Sequence, residues 1–128
     1  MEAVLIGAPG SGARGVGRAL AERRGARFVD LTGDPARRPD VLSGVRLAEA
    51  PDAGPALRRV IAADRIVADT ALRARLFRGR HVVWLDVPAD QLVERLRGVR
   101  RADLDIQGDL RTYTLGHRAE YEPYYAAG

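Results

Sequence analysis

The sequence predicts an α/β fold, a three-layer parallel sheet with helices on both faces. Three observations predict it. Short apolar runs, beginning with Ala3-Val4-Leu5-Ile6, are continuous rather than alternating, as strands buried on both faces require. Segments with helical spacing separate these runs, so strands and helices alternate along the chain. A glycine-rich turn, Gly7-Ala8-Pro9-Gly10-Ser11-Gly12, joins the first run to the first helix. The 128 residues suffice for one domain, 1–128, burying roughly two-thirds of its unfolded surface. No repeat, linker or low-complexity block divides it.

The elements follow in order. Residues 3–6 form the first strand. After the turn, Val16, Ala19, Leu20 and Arg23 to Arg24 carry helical spacing, and Gly25 stops the helix. Arg27-Phe28-Val29-Asp30-Leu31 is the second strand. Residues 32–54 are broken by Pro and Gly and show little periodicity, which predicts a loop with one short helix over 41–48. Residues 55–63 are expected to be helical, with Leu57, Val60 and Ile61 on one face, and 65–69 to form the third strand. Asp69 or Thr70 caps a helix that ends at Phe77. The fourth strand, 81–87, is the clearest. Pro88 then opens a helix through Leu96, with Leu92 and Val93 inward. A charged segment, 98–109, precedes a last helix over 110–124.

Composition narrows the function. The net charge is +4, and all 21 basic residues are Arg. They are scattered among acids with no aromatic-interleaved basic stripe, which argues against nucleic-acid binding. Without Cys there is no disulfide and no Cys-based metal or redox site. His81 reads as a strand-start residue and His117 as a helix-surface residue. No apolar run reaches bilayer length and no targeting segment is evident, so the expected location is the cytoplasm, with no membrane partner.

The glycine turn carries the chemistry. In the pattern G-x-x-x-x-G-K-[ST], glycines let backbone N–H groups curl around phosphate, the Lys reaches the β/γ-phosphates, and the hydroxyl ligates Mg²⁺. Here Gly7, Gly10, Ser11 and Gly12 keep the frame, but Ala13 replaces the Lys and Arg14 the hydroxyl. With no Lys in the chain, none is displaced to fill the gap. The loop's N–H groups and the helix N-terminus still attract an anion.

Four ordered blocks resemble the shikimate kinase family of P-loop, nucleoside-monophosphate-kinase-like proteins. They are Val4 to Gly12 with Gly15 to Ala21, Phe28-Val29-Asp30, Val82 to Val87 with Leu92 to Leu96, and Arg118-Ala119-Glu120-Tyr121. The resemblance implies a P-loop NTPase type of sheet with four strands here, the family's last strand, adenine loop and final helix having no counterpart before Gly128. It implies ATP and Mg²⁺ as cofactors and phosphorylation of shikimate to shikimate 3-phosphate, in aromatic amino-acid biosynthesis. It also implies that residues 32–60 are a reduced substrate-binding region and 98–109 a lid-like segment.

On the donor side the resemblance leaves Asp30 as the surviving first Asp of a D-x-D motif, a catalytic and metal-holding candidate. Thr32 stands in place of the second Asp, and the Gly-Gly-Gly turn after strand three has no match in Val67-Ala68-Asp69-Thr70. On the acceptor side it implies Arg58 and Arg118 as carboxylate-binding residues, Arg100 or Arg101 as the lid Arg over the phosphates, and Arg95 as the Arg packed against adenine. Bidentate guanidinium contacts suit a small anionic, shikimate-like ligand. The expected protein is therefore shikimate kinase-like but catalytically impaired, retaining anionic-ligand binding, with a protein partner or fused domain as a further possibility. The alternative is an active small-molecule kinase of the shikimate or gluconate kinase type, with Arg14 as catalytic cation and Asp34 in place of the second Asp. Tyr121, Tyr124 and Tyr125 are expected to cover the sheet edge that the family's last strand would cover.

Overall fold

The computed structural model describes residues 1–36, 40, 51, 52, 54–97 and 109–127. Four parallel strands form one sheet in the order β2-β3-β1-β4: β1 (Glu2–Ile6), β2 (Arg27–Leu31), β3 (Arg59–Ala63) and β4 (His81–Trp84). Val4 sits opposite Ile61 on one side and Val82 on the other, and Val29 opposite Ile61. The two central strands are buried almost throughout, whereas β2 and β4 at the edges are partly exposed. This placement explains why Val4-Leu5-Ile6 and Val60-Ile61-Ala62-Ala63 contain no polar residue.

Helices cover both faces. Leu5, Phe28 and Val60 meet α1 (Ala13–Arg24) on one face. On the other, Val4, Ile6, Leu31 and Ile61 meet Ile66 and Val67 of a 3₁₀ turn (Arg65–Ala68), Leu76 of α2 (Thr70–Phe77) and Tyr125 of α4 (Leu110–Ala126). The remaining helix, α3 (Ala89–Leu96), follows β4 and buries Leu92 and Leu96. The fold is thus the expected three-layer α/β sheet. Among the described residues no helix is long and apolar enough to cross a membrane.

The middle of the chain differs from expectation. The third strand is Arg59–Ala63, not 65–69, and the segment expected as helix over 55–63 ends in that strand. A run as short as Val60-Ile61-Ala62-Ala63 fits a buried strand and a helix face equally well. The sheet decides, because β3 pairs on both sides and buries all four residues completely. Arg65–Ala68 becomes a 3₁₀ turn whose N-cap, Asp64, accepts from Arg65 N. Asp69 then caps α2 by accepting from Leu72 N at 3.0 Å, as expected. The short helix expected over 41–48 lies outside the described residues.

α1 also buries a different face. Its contacts with the sheet come from Ala13, Gly17 and Ala21, while Val16 is 49% exposed. A Cβ on Gly17 would stand 3.0 Å from Phe28 Cε1 and 3.4 Å from Leu5 Cδ1, so a small-residue stripe brings the helix close to the sheet. Gly25, at φ 65°, ends the helix in a left-handed cap, with Ala26 N donating to Ala21 O at 2.9 Å.

Candidate functional site

Adjacent strands β1 and β3 send their following segments to opposite faces of the sheet. Such a divergence opens a crevice at the strands' C-terminal ends, where open α/β sheets bind ligands. A cleft of about 230 Å³ lies there, lined by Gly7 to Arg14, Thr32, Asp64, Arg95 and Leu96. Gly10 and Gly12 take φ 91° and 92°, a left-handed conformation that glycine adopts without strain. A Cβ on Gly7 would stand 2.5 Å from Ser11 Oγ and 3.0 Å from Leu85 O, so the loop closes only over a glycine. The glycine frame therefore folds as a phosphate loop, with Ser11 N donating to Ala8 O at 2.9 Å.

The two altered positions have opposite fates. Ala13 is 5% exposed and packs with Leu5, Ala21 and Val60. Arg14 leaves the loop sideways, and its Nε donates to Asp30 Oδ2 at 2.8 Å. Asp30 Oδ1 accepts from Thr32 N at 2.9 Å and from the Thr32 hydroxyl. Partial burial alone would raise the Asp30 carboxyl, but the Thr32 and Arg14 contacts outweigh it and hold it below the usual carboxylate range.

Arg95 reaches the loop from α3, with Nη1 donating to Ser11 O at 2.9 Å and Gly10 O at 3.3 Å. These contacts hold its guanidinium against the loop. Asp64, 3% exposed, accepts from Gly33 N at 2.8 Å and ties the ends of β2 and β3 together. Sequence reading missed Asp64 because the strand before it was misplaced. The signal was available: an acid directly after a fully apolar run marks a strand's C-terminal end. The turn after strand three is accordingly Asp64-Arg65-Ile66, not Val67-Ala68-Asp69-Thr70.

The acceptor-side arginines do not converge on this cleft. Arg58 lies at the opposite end of the sheet, just before β3, with Nε 3.9 Å from Asp52 Oδ2 and its side chain 70% exposed. The expected substrate role placed it on a helix, whereas the chain here enters strand β3 at the end remote from the cleft. Arg118 donates to Val87 O at 2.8 Å and pairs with Asp86 at 3.3 Å, and none of the three is among the residues lining the cleft. Asp34 Oδ1 accepts from Ala36 N at 3.0 Å and borders a separate groove with Arg65, His117 and Tyr121. Arg100 and Arg101, with residues 98–108 of the lid-like segment, lie outside the described residues.

The tyrosines of α4 lie on the sheet's face as well as beside its edge strand. The Tyr125 ring centroid is 6.0 Å from that of Trp84 in β4, and Tyr121 stacks on His117 at 4.2 Å. His117 is buried, not at the surface, with Nε2 2.8 Å from the Tyr125 hydroxyl. Burial, aided by the Arg65 charge, pushes its pKa down to about 4. In the unfolded chain the ring protonates near its ordinary 6.5, so folding stability is full above that pH and falls as pH drops towards 4. The loss approaches about 3 kcal/mol, at about 1.4 kcal/mol per pH unit. In denaturant titrations, His117→Gln is expected to lose less stability than the native chain between pH 6.5 and 4.5. Equal losses would contradict this assignment.

The loop, the sheet order and the flanking helices define a P-loop, nucleoside-monophosphate-kinase-like fold. Among solved structures the chain is similar to the shikimate kinase of Acinetobacter baumannii, determined in complex with shikimate, with TM-score 0.73, 19% identity, and 98% of this chain and 78% of that one covered. It is similar also to the shikimate kinase of Bacteroides thetaiotaomicron, with TM-score 0.76, 18% identity and coverage of 98% and 82%. A gluconokinase from Sinorhizobium meliloti follows at TM-score 0.53, 21% identity, with 91% and 73% covered. No family model and no curated protein matches the sequence. These likenesses establish the fold.

Proposed function

We propose that this chain is a P-loop anion-binding protein built on the shikimate kinase architecture, which holds a phosphate-bearing small molecule without transferring its phosphoryl group at a kinase's rate. One observation carries the reading: Arg14 Nε stands 2.8 Å from Asp30 Oδ2. Phosphoryl transfer in this kind of site depends on cations placed against developing charge. Here the loop offers Ala13, and the cation beside it is neutralised by a carboxylate.

Phosphate fits the residues present and Mg²⁺ does not. The glycines shape backbone donors for phosphate oxygens. Mg²⁺ demands near-octahedral oxygen ligation, yet a guanidinium replaces the ligating hydroxyl, and its positive charge 2.8 Å from Asp30 Oδ2 opposes a second cation there. Among the described residues no group of three acids or histidines is placed to hold a metal. Arg14 and Asp34 as substitute catalytic groups lose support for the same reason: each is engaged, and Asp34 borders the other groove.

Titration calorimetry with ADP, ATP and pyrophosphate, beside a coupled assay with shikimate or gluconate as acceptor, tests the reading. Binding of at least one phosphate compound is expected. Turnover is expected to fall at least about 10²-fold below an ordinary kinase rate, the effect of losing a single electrostatic donor. Turnover of about 1 s⁻¹ or faster, within the ordinary enzyme range, would overturn it.

A further inference from the structure

We infer that the loop cleft selects metal-free phosphate anions and that Arg95, from α3, is the cation that the loop itself no longer supplies. The inference rests on the anion-binding reading above and adds the state of the ligand and the residue that recognises it.

The charge pattern of the cleft carries the argument. Arg14 is cancelled by Asp30 at 2.8 Å, and Arg65 Nε stands 3.7 Å from Asp64. Arg95 differs. Its partners are the carbonyls of Gly10 and Ser11, which orient the guanidinium without neutralising it. Among the described residues no carboxylate pairs with it. Arg95 therefore leaves one positive charge in excess at a loop whose N–H groups also favour an anion. A guanidinium has five N–H donors, and Nη1 alone contacts the carbonyls, so the others suit phosphate oxygens. The position is also enforced: a Cβ on Gly12 would stand 3.6 Å from Arg95 Nη1, and a Cβ on Gly10 3.2 Å from Leu96 Cγ on the same helix. α3 and the loop are packed together, which holds the cation at the cleft wall.

This arrangement treats a bare anion and its metal complex differently. A bare phosphate meets one uncompensated cation and a rim of backbone donors. A Mg²⁺-bound phosphate has lost much of its negative charge and brings a second cation beside Arg14, whose guanidinium already neutralises Asp30. Selection for the metal-free form follows from that cross-pairing.

The experiment is calorimetric titration of pyrophosphate into the full chain, in EDTA and in excess Mg²⁺, with Arg95→Gln and Arg95→Lys as variants. The native chain is expected to bind at least as tightly in EDTA as in Mg²⁺. Arg95→Gln is expected to weaken binding at least tenfold and to flatten its salt dependence, because a charge is lost. Arg95→Lys is expected to keep the salt dependence, which a purely structural brace would not explain. Tightening by Mg²⁺ of tenfold or more, or Arg95→Gln binding within threefold of the native chain, would overturn the inference while leaving anion binding itself intact. If the native chain binds no phosphate compound, the anion-binding reading falls and this inference with it.

Discussion

Arg80→Met is expected to destabilise the fold by about 3–5 kcal/mol, the usual cost of stripping one partner from a buried ion pair. Arg80 Nε stands 2.8 Å from Glu2 Oε1, and neither side chain is more than 1% exposed. Arg80 also donates through Nη1 to the carbonyls of Arg75 and Leu76, at 3.0 and 3.1 Å, closing the end of α2. Its removal leaves a buried carboxylate oxygen and two helix carbonyls short of donors. Arg59 Nη2, 2.9 Å from Glu2 Oε2, still covers the other oxygen, which keeps the loss within that range. The double variant Glu2→Gln/Arg80→Met should recover part of it, because no bare charge remains inside. Urea unfolding measures both, and a loss below 1 kcal/mol for the single variant would refute the assignment. The cluster sits at the N-terminal ends of the strands, opposite the loop. Phosphate affinity at temperatures where the variant is folded should therefore be unchanged.

That separation of ends also explains what could be read in the sequence. Elements marked by a backbone requirement were legible: Gly25 ends α1 in a left-handed conformation, and Asp69 caps α2 through a hydrogen bond to Leu72 N. The loop was legible because its glycines are required by geometry rather than by preference. β3 was not, since four apolar residues carry no period and their identity as a strand depends on partners in β1 and β2. The error moved Arg58 onto a helix and towards a substrate, although it precedes β3 at the end remote from the cleft. α1 misled in another way, because a helix packed close to a sheet buries Ala13, Gly17 and Ala21 rather than its larger residues. The Arg14–Asp30 pair spans two elements and sixteen positions, and nothing local in the sequence announces it. The resemblance singled out Arg95 only as an Arg packed against adenine, and the structure places it in the lining of the loop cleft. Its placement on the carbonyls of Gly10 and Ser11 came only with the packing of α3 on the loop.

Arg14→Ser is expected to reverse the protein's response to Mg²⁺. The substitution places a hydroxyl where the phosphate-loop pattern has one and frees Asp30 Oδ2 from the guanidinium 2.8 Å away. Two consequences follow with opposite signs. In EDTA, Asp30 becomes an uncompensated carboxylate beside the cleft and repels an incoming phosphate, so affinity for ADP should fall. In excess Mg²⁺, the hydroxyl and the released carboxylate supply hard oxygen ligands of the kind Mg²⁺ takes beside substrate phosphates, and affinity should rise above the EDTA value. A tenfold difference between the two conditions, about 1.4 kcal/mol, is the size expected for the variant, against none or the opposite sign for the native chain. Thr32 still holds the other Asp30 oxygen through its amide and hydroxyl, so the carboxylate stays in place when Arg14 is gone. Calorimetry of both proteins in both buffers reads the reversal directly. If Arg14→Ser binds ADP with the same affinity in EDTA and in Mg²⁺, the cross-pairing of Arg14 with Asp30 is not what sets the metal dependence of this cleft. Transfer itself should stay slow in either buffer, because Ala13 still leaves the β/γ-phosphates without the loop's own cation.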